Sequence, residues 1–237
     1  EEEGPLVIKP VQADVVLNAW IDANRDLIQK RLLKYGGILF RGFQTESVPD
    51  FESVVKTFGD DLLDYNERSS PRHKVEGKVY TSTDHPADQR IHFHNELAYS
   101  KNWPLEIFFY CDIQPGKGGE TPIADSRKVY LNLSEATRKK FEEKGVMYQR
   151  YLGSGLGLSW QEVFQTENKD DVETYCKESG IELEWVDDKK VITRSRRPAV
   201  QRHPETGELL WFNHAHFFYI WNMHEEEREQ LLSMVRE

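Results

Sequence analysis

The stretch Ile91-His92-Phe93-His94-Asn95-Glu96-Leu97 carries the residue types from which a metal site is made. His94 and Glu96 are two apart, so on an extended strand both project from one face and can reach one ion. An imidazole with a carboxylate suits non-haem iron(II), where two histidines and one carboxylate hold the metal and leave adjacent positions open. The spacing alone is not specific. With 8 His and 41 Asp or Glu in the chain, about one or two His-x-acid triplets arise by chance. Two others are present. His203-Pro204-Glu205 lies in a turn sequence, and His224-Glu225-Glu226 in a helical one, where i and i+2 diverge around the axis. Geometry favours His94/Glu96, against the plainer reading of a polar strand edge. His92/His94 and His214/His216 are also candidate zinc pairs, and a zinc-dependent hydrolase could be built on them. No helix carries the His-Glu-x-x-His arrangement that such a hydrolase would use.

The elements that must position these residues can be read from periodicity. Val15, Val16, Trp20, Ile21, Leu27, Ile28, Leu32 and Leu33 recur at helical spacing and predict a helix over 12–35, ended by Gly36-Gly37. Ile38-Leu39-Phe40 reads as a short buried strand. Ser47 and Asp50 form a capping-box pattern for a helix through about Phe58. Strands are expected at 77–83 and 105–113, the second a nearly continuous apolar run. A short helix from Ser134 to about Lys144 and a strand at 146–151 follow, then helices near 159–165 and 170–178. Short strands are expected at 182–186, 190–193, 198–202 and 208–213, the last two joined by Pro204-Glu205-Thr206-Gly207 as a hairpin. The chain closes on a polar helix from about His224 to Val235. Helices decorating many short strands make an α+β protein with a barrel or sandwich core. No linker or repeat interrupts it, so residues 1–237 read as a single domain.

Composition narrows the function classes. The 38% hydrophobic and 30% charged content fits a globular protein with a real core. A net charge of −10 opposes binding to a phosphate backbone, so no nucleic-acid partner is expected. No apolar run reaches membrane-spanning length, and no membrane partner is expected. Two distant cysteines, Cys111 and Cys176, make neither a disulfide framework nor a zinc spacing, which favours a reduced, cytoplasmic setting.

The context of the His94-x-Glu96 pair resembles the taurine dioxygenase (TauD/TfdA)/clavaminate synthase-like family. After Glu96 come Trp103-Pro104, the apolar run, and Gly118-Gly119-Glu120-Thr121-Pro122-Ile123, similar to that family's Gly-Gly-acid-Thr turn. Gly37 to Phe43 looks like its early strand. Pro198 to Asn213, with His203-Pro204, Thr206-Gly207 and Leu210-Trp211-Phe212-Asn213, looks like its late hairpin. Ser69-Ser70-Pro71-Arg72 and Tyr80-Thr81-Ser82-Thr83 are similar to the subgroup of natural-product pathways that includes aspartyl hydroxylases of the syringomycin type. The resemblance covers roughly residues 35–237.

It implies a double-stranded β-helix (a cupin-like jelly roll) with flanking helices, and an Fe(II)- and 2-oxoglutarate-dependent oxygenase using O2. His94 and Glu96 would be metal ligands and Thr121 a contact of 2-oxoglutarate. The family's second metal His and the Arg that meets the cosubstrate follow a Trp-x-x-Gly-Asp strand, which this sequence does not reach before Glu237. The domain is therefore expected to be incomplete at its C-terminus. Retention of Glu96 points to hydroxylation or desaturation over halogenation, because related halogenases replace the carboxylate with a small residue. The substrate is expected to be an amino acid or similar polar small molecule, free or tethered to a carrier protein. Arg72, Trp160 and Asn213 are its candidate contacts, Arg72 as a bidentate partner of a substrate carboxylate. The competing expectation is a cupin-like small-molecule binder that has lost its metal triad.

Overall fold

The computed structural model describes residues 4–59, 62–63, 67, 69, 72–82, 90–155 and 157–236, apart from the side chains of 235 and 236. Contacts divide the chain into two compact units: Glu1–Asp64 with His73–Thr81 and Glu106–Asp125, and Tyr65–Arg72 with Ser82–Leu105 and Ser126–Glu237.

In the first unit, β1 (Leu6–Ile8) lies parallel to β2 (Ile38–Phe40), Leu6 opposite Ile38. Between them run α1 (Leu17–Ala23) and α2 (Arg25–Tyr35). The one long helix expected over 12–35 is two. Asn24 breaks it at φ −128°, and its side-chain amide donates to the Trp20 carbonyl at 2.7 Å. A short polar side chain competing for a backbone carbonyl disfavours helix interiors. The helix ends at Gly36 in the left-handed region (φ 72°), as the sequence predicts. α3 (Val48–Lys56) starts where Ser47 Oγ accepts from the Asp50 amide, and the Asp50 carboxylate accepts from Ser47 Oγ and the Glu46 amide. Those bonds lower the Asp50 pKa. Leu17, Ile21, Ile28 and Val54 form this unit's core, flanked by Trp20, Phe40, Phe43 and Phe58. β3 (Lys74–Glu76) and β4 (Val79–Tyr80) make a small hairpin; only β4 falls within the strand expected over 77–83, β3 precedes it, and residue 83 lies outside the described residues.

The apolar run 105–113 departs from expectation. It alternates as a strand would, yet no strand is assigned there. Phe108 packs on Phe58 and Tyr110 stacks on Phe51, while Ile107 and Phe109 face outward. The alternation is therefore present without a ladder partner among the described residues.

The second unit opens with α4 (Ser126–Asn132) and α5 (Glu135–Lys144). Next come β5 (Val146–Leu152), α6 (Trp160–Phe164), α7 (Lys169–Ser179), β6 (Glu182–Trp185) and β7 (Val191–Arg197). β7 is the centre of an antiparallel sheet in the order β5-β7-β6, with Val146 opposite Arg197 and Leu152 opposite Val191. α6 has a complete capping box, Ser159 with Glu162, and α7 ends at left-handed Gly180. These helices and the sheet enclose Leu152, Trp160, Val163, Val172, Cys176 and Val191. Val163 and Val172 are fully enclosed, each contributing about 1.5–3 kcal/mol. β8 (Val200–Arg202) and β9 (Leu209–Trp211) form the expected hairpin, and α8 (Glu225–Arg236) closes the chain. The helices and strands of an α+β protein are thus present. Among the described residues the strands assemble into four small sheets. Among the described residues no helix is long and apolar enough to cross a membrane, and Cys111 and Cys176 form no disulfide.

Candidate metal centre

The His-bearing segment 90–96 lies in the second unit. The sequence expects it as a strand; the structure gives irregular backbone that enters a tight turn at Leu97, whose φ is 54°. Its order comes from segment 213–217. His92 meets His216 edge-on at 5.2 Å between ring centroids, and His94 meets His214 edge-on at 5.6 Å. The two i, i+2 histidine pairs thus face each other in antiparallel order. Neither zinc pair suggested by spacing gains a third His, Cys, Asp or Glu among the described residues.

Asn95 is the fastener. Its Oδ1 accepts from the Asn213 amide at 3.2 Å, and its Nδ2 donates to Ser126 Oγ at 3.1 Å. Its carbonyl accepts from His214 Nε2 and from the Ala98 amide. The residue between the two candidate ligands is therefore tied to α4, to the end of the β8–β9 hairpin and to the following turn. His214 is 2% exposed, and its amide donates to Tyr148 Oη at 2.9 Å. Burial lowers its pKa to about 4, so the ring is neutral. With Nε2–H given to the Asn95 carbonyl, Nδ1 is an acceptor, buried and without a hydrogen-bond partner among the described residues.

His94 and Glu96 end side by side. His94 Nε2 stands 3.6 Å from Glu96 Oε2, and His94 Nδ1 donates to the His92 carbonyl at 2.9 Å. That bond keeps one proton on Nδ1, so Nε2 is the nitrogen that faces the carboxylate and that a metal would take once it is deprotonated, as second-layer bonds arrange for metal-bound histidines. The Glu96 carboxylate raises the His94 pKa, opposed by burial and assisted by the His92 carbonyl. An imidazole nitrogen and a carboxylate oxygen this close fit a borderline divalent metal such as Fe(II) as two of its ligands. No third His, Cys, Asp or Glu joins them among the described residues. Arg72 approaches from the other side, its Nη2 3.4 Å from Glu96 Oε1.

The remaining sequence candidates are placed as follows. Thr121 belongs to the first unit, on an exposed irregular segment after Gly118 and Gly119. Gly119 is at φ 82°, and a Cβ there would come within 2.5 Å of Pro115, so the turn before Thr121 requires glycine. Trp160, expected as a substrate contact, is a core residue: 3% exposed and edge-on to Trp185 at 5.4 Å. It lies in the second unit's apolar cluster, with its Nε1 buried and without a hydrogen-bond partner among the described residues. Asn213, also expected at the substrate, is buried with its amide committed. Its Nδ2 donates to the Ala199 carbonyl at 2.8 Å, and its Oδ1 accepts from the Ala215 amide at 2.9 Å. Its side chain shapes the segment that braces Asn95. Asn95, Ser126 and Tyr148 were not singled out by sequence reasoning, and His214 only as half of a candidate zinc pair with His216. The only trace of them is that Asn95 lies inside the motif and His214 repeats its i, i+2 histidine spacing.

A short imidazole–carboxylate pair held by a second segment offers two of the donors that a mononuclear metal site would use. Comparison with known proteins makes this specific. The family described as "Taurine catabolism dioxygenase TauD, TfdA family" matches residues 5–237, and the chain belongs to that family. It is 39% identical over 237 residues to the dapdiamide synthesis protein DdaC of Enterobacter agglomerans, covering 98% of this chain and 72% of that protein. It is 35% identical over 227 residues to a clavaminate synthase-like protein of Arabidopsis thaliana, covering 88% and 69%. The chain is a dioxygenase of this family, whose members characteristically use iron and 2-oxoglutarate.

Proposed function

We propose that this chain is an Fe(II)- and 2-oxoglutarate-dependent oxygenase that hydroxylates an amino acid or related small polar substrate, free or on a carrier protein, in natural-product biosynthesis. The observation that carries the reading is the His94 Nε2 to Glu96 Oε2 approach of 3.6 Å, with His94 Nδ1 already bonded. DdaC is named for dapdiamide synthesis, which supports a biosynthetic role. Family membership supports a jelly-roll core, and the family match spanning residues 5–237 supports one catalytic domain. Unbonded cysteines are compatible with a reduced, cytoplasmic setting.

In this reading His94 and Glu96 supply two metal ligands, and Thr121 meets the far carboxylate of 2-oxoglutarate. Ferrous iron, 2-oxoglutarate and O2 together supply the oxidising power that places oxygen on a substrate carbon while the keto acid becomes succinate and CO2. The protein's share is positional. His94 must be deprotonated at Nε2 to bind metal, and the His92 carbonyl keeps its remaining proton on Nδ1. Glu96 provides negative charge where a halide site would have none.

The test uses the full-length protein under anaerobic conditions. Adding Fe(II) and 2-oxoglutarate should give the weak visible metal-to-cosubstrate charge-transfer band, and His94→Ala should remove it. No band at saturating iron and cosubstrate would favour a catalytically inactive small-molecule binder.

A further inference from the structure

Glutamate carries one more methylene than aspartate, so a ligand carboxylate at this position has an additional torsion to fix. Its two oxygens also allow either one-oxygen or two-oxygen ligation, and the second mode would consume a position that cosubstrate or O2 needs. The structure divides the two oxygens: Oε2 faces His94 Nε2 at 3.6 Å, and Oε1 faces Arg72 Nη2 at 3.4 Å. The Arg72 and Glu96 side chains are only 19% and 18% exposed, so solvent screens this pair weakly.

We propose that Arg72 is a positioning residue: its guanidinium holds Glu96 Oε1 and leaves Oε2 as the single oxygen presented beside His94. This rests on the metal-centre reading of His94 and Glu96, and it gives Arg72 a protein carboxylate as partner where the sequence alone suggested a substrate carboxylate. Arginine suits the task because its charge is permanent and its fork is rigid.

The experiment is an anaerobic titration of the full-length protein with Co(II), reading both affinity and the visible absorption of the bound ion, with circular dichroism to check folding. Arg72→Ala should weaken Co(II) binding about 10- to 100-fold, the usual cost of removing an outer partner of a metal ligand. It should also change the Co(II) spectrum, as Glu96 gains freedom to bind through both oxygens. Arg72→Lys, which keeps a cationic donor, should recover part of both. A folded Arg72→Ala protein that binds Co(II) within about twofold of the parent, or more tightly, with the same spectrum, overturns the inference. If that variant fails to fold, Arg72→Gln makes the same comparison, and unchanged affinity and spectrum there overturn it equally. His94→Ala and Glu96→Ala separate the two levels. If they lose Co(II) while Arg72→Ala does not, only the positioning role falls; if they also retain it, the metal-centre reading falls.

Discussion

The bracing of Asn95 makes the most direct quantitative prediction. Asn95→Ala removes two side-chain bonds, to the Asn213 amide and to Ser126 Oγ. Ser126 can turn its hydroxyl to water, so that loss is worth about 0.5–1 kcal/mol. Asn213 is 5% exposed, and its amide would be left without its acceptor. A buried unsatisfied donor costs about 1–3 kcal/mol. The sum is about 1.5–4 kcal/mol, which for a chain of this length lowers Tm by about 3–16 °C. Because Asn95 sits between His94 and Glu96, divalent metal affinity should fall with it, about 10- to 100-fold. Asn95→Asp separates geometry from contact loss. Its carboxylate still accepts from Asn213, and the Ser126 hydroxyl can reverse and donate, so it should retain most of the stability. Calorimetric melting of the metal-free protein and an anaerobic metal titration read the two effects. An Asn95→Ala protein that melts within about 1 °C of the parent and binds metal as tightly would refute the account of Asn95 as fastener.

Two further outcomes follow from burial. His214 has its folded-state pKa lowered to about 4, so the unfolded chain takes up a proton that the folded chain refuses. Stability is full above the unfolded value near 6.5 and is lost as pH falls toward 4, by about 3 kcal/mol. Chemical denaturation of metal-free protein from pH 7 to 4 should show this slope, and His214→Gln should remove most of it; an equal slope in both would assign the loss elsewhere. Trp160→Ala should cost about 3–5 kcal/mol as a core truncation. Trp160→Phe should leave the substrate KM unchanged once folded; a raised KM with unchanged melting would return Trp160 to the substrate.

What the sequence disclosed was mostly local. α3, α6 and α7 carry their own signals: Ser47 with Asp50, Ser159 with Glu162, and Gly180 after the last turn. The β8–β9 hairpin was legible from Thr206-Gly207. α4 was missed because it is short, only 7 residues. β7 was read as ending near 193 because Arg194, Arg196 and Arg197 look like a surface loop. In the sheet, Arg194 is held by Glu184 at 2.8 Å, and Arg197 donates to the carbonyls of Tyr99 and Ser179. The His94/Glu96 pair was visible by type and spacing, but the reason given for their meeting was a strand that the structure lacks. Their meeting depends on contacts between residues more than a hundred positions apart, such as Asn95 with Asn213, which no local pattern reports.

The facing of His92 with His216 and His94 with His214 has a consequence for how this region can change over evolution. Both segments space their imidazoles by two, so only one alignment matches ring to ring. Sliding either by a single position would set Phe93 or Ala215 where an imidazole now stands, and would carry Asn95 away from its partners. An insertion or deletion of one residue would break both ring pairings and the Asn95 contacts together, so in these two stretches length is constrained as well as identity.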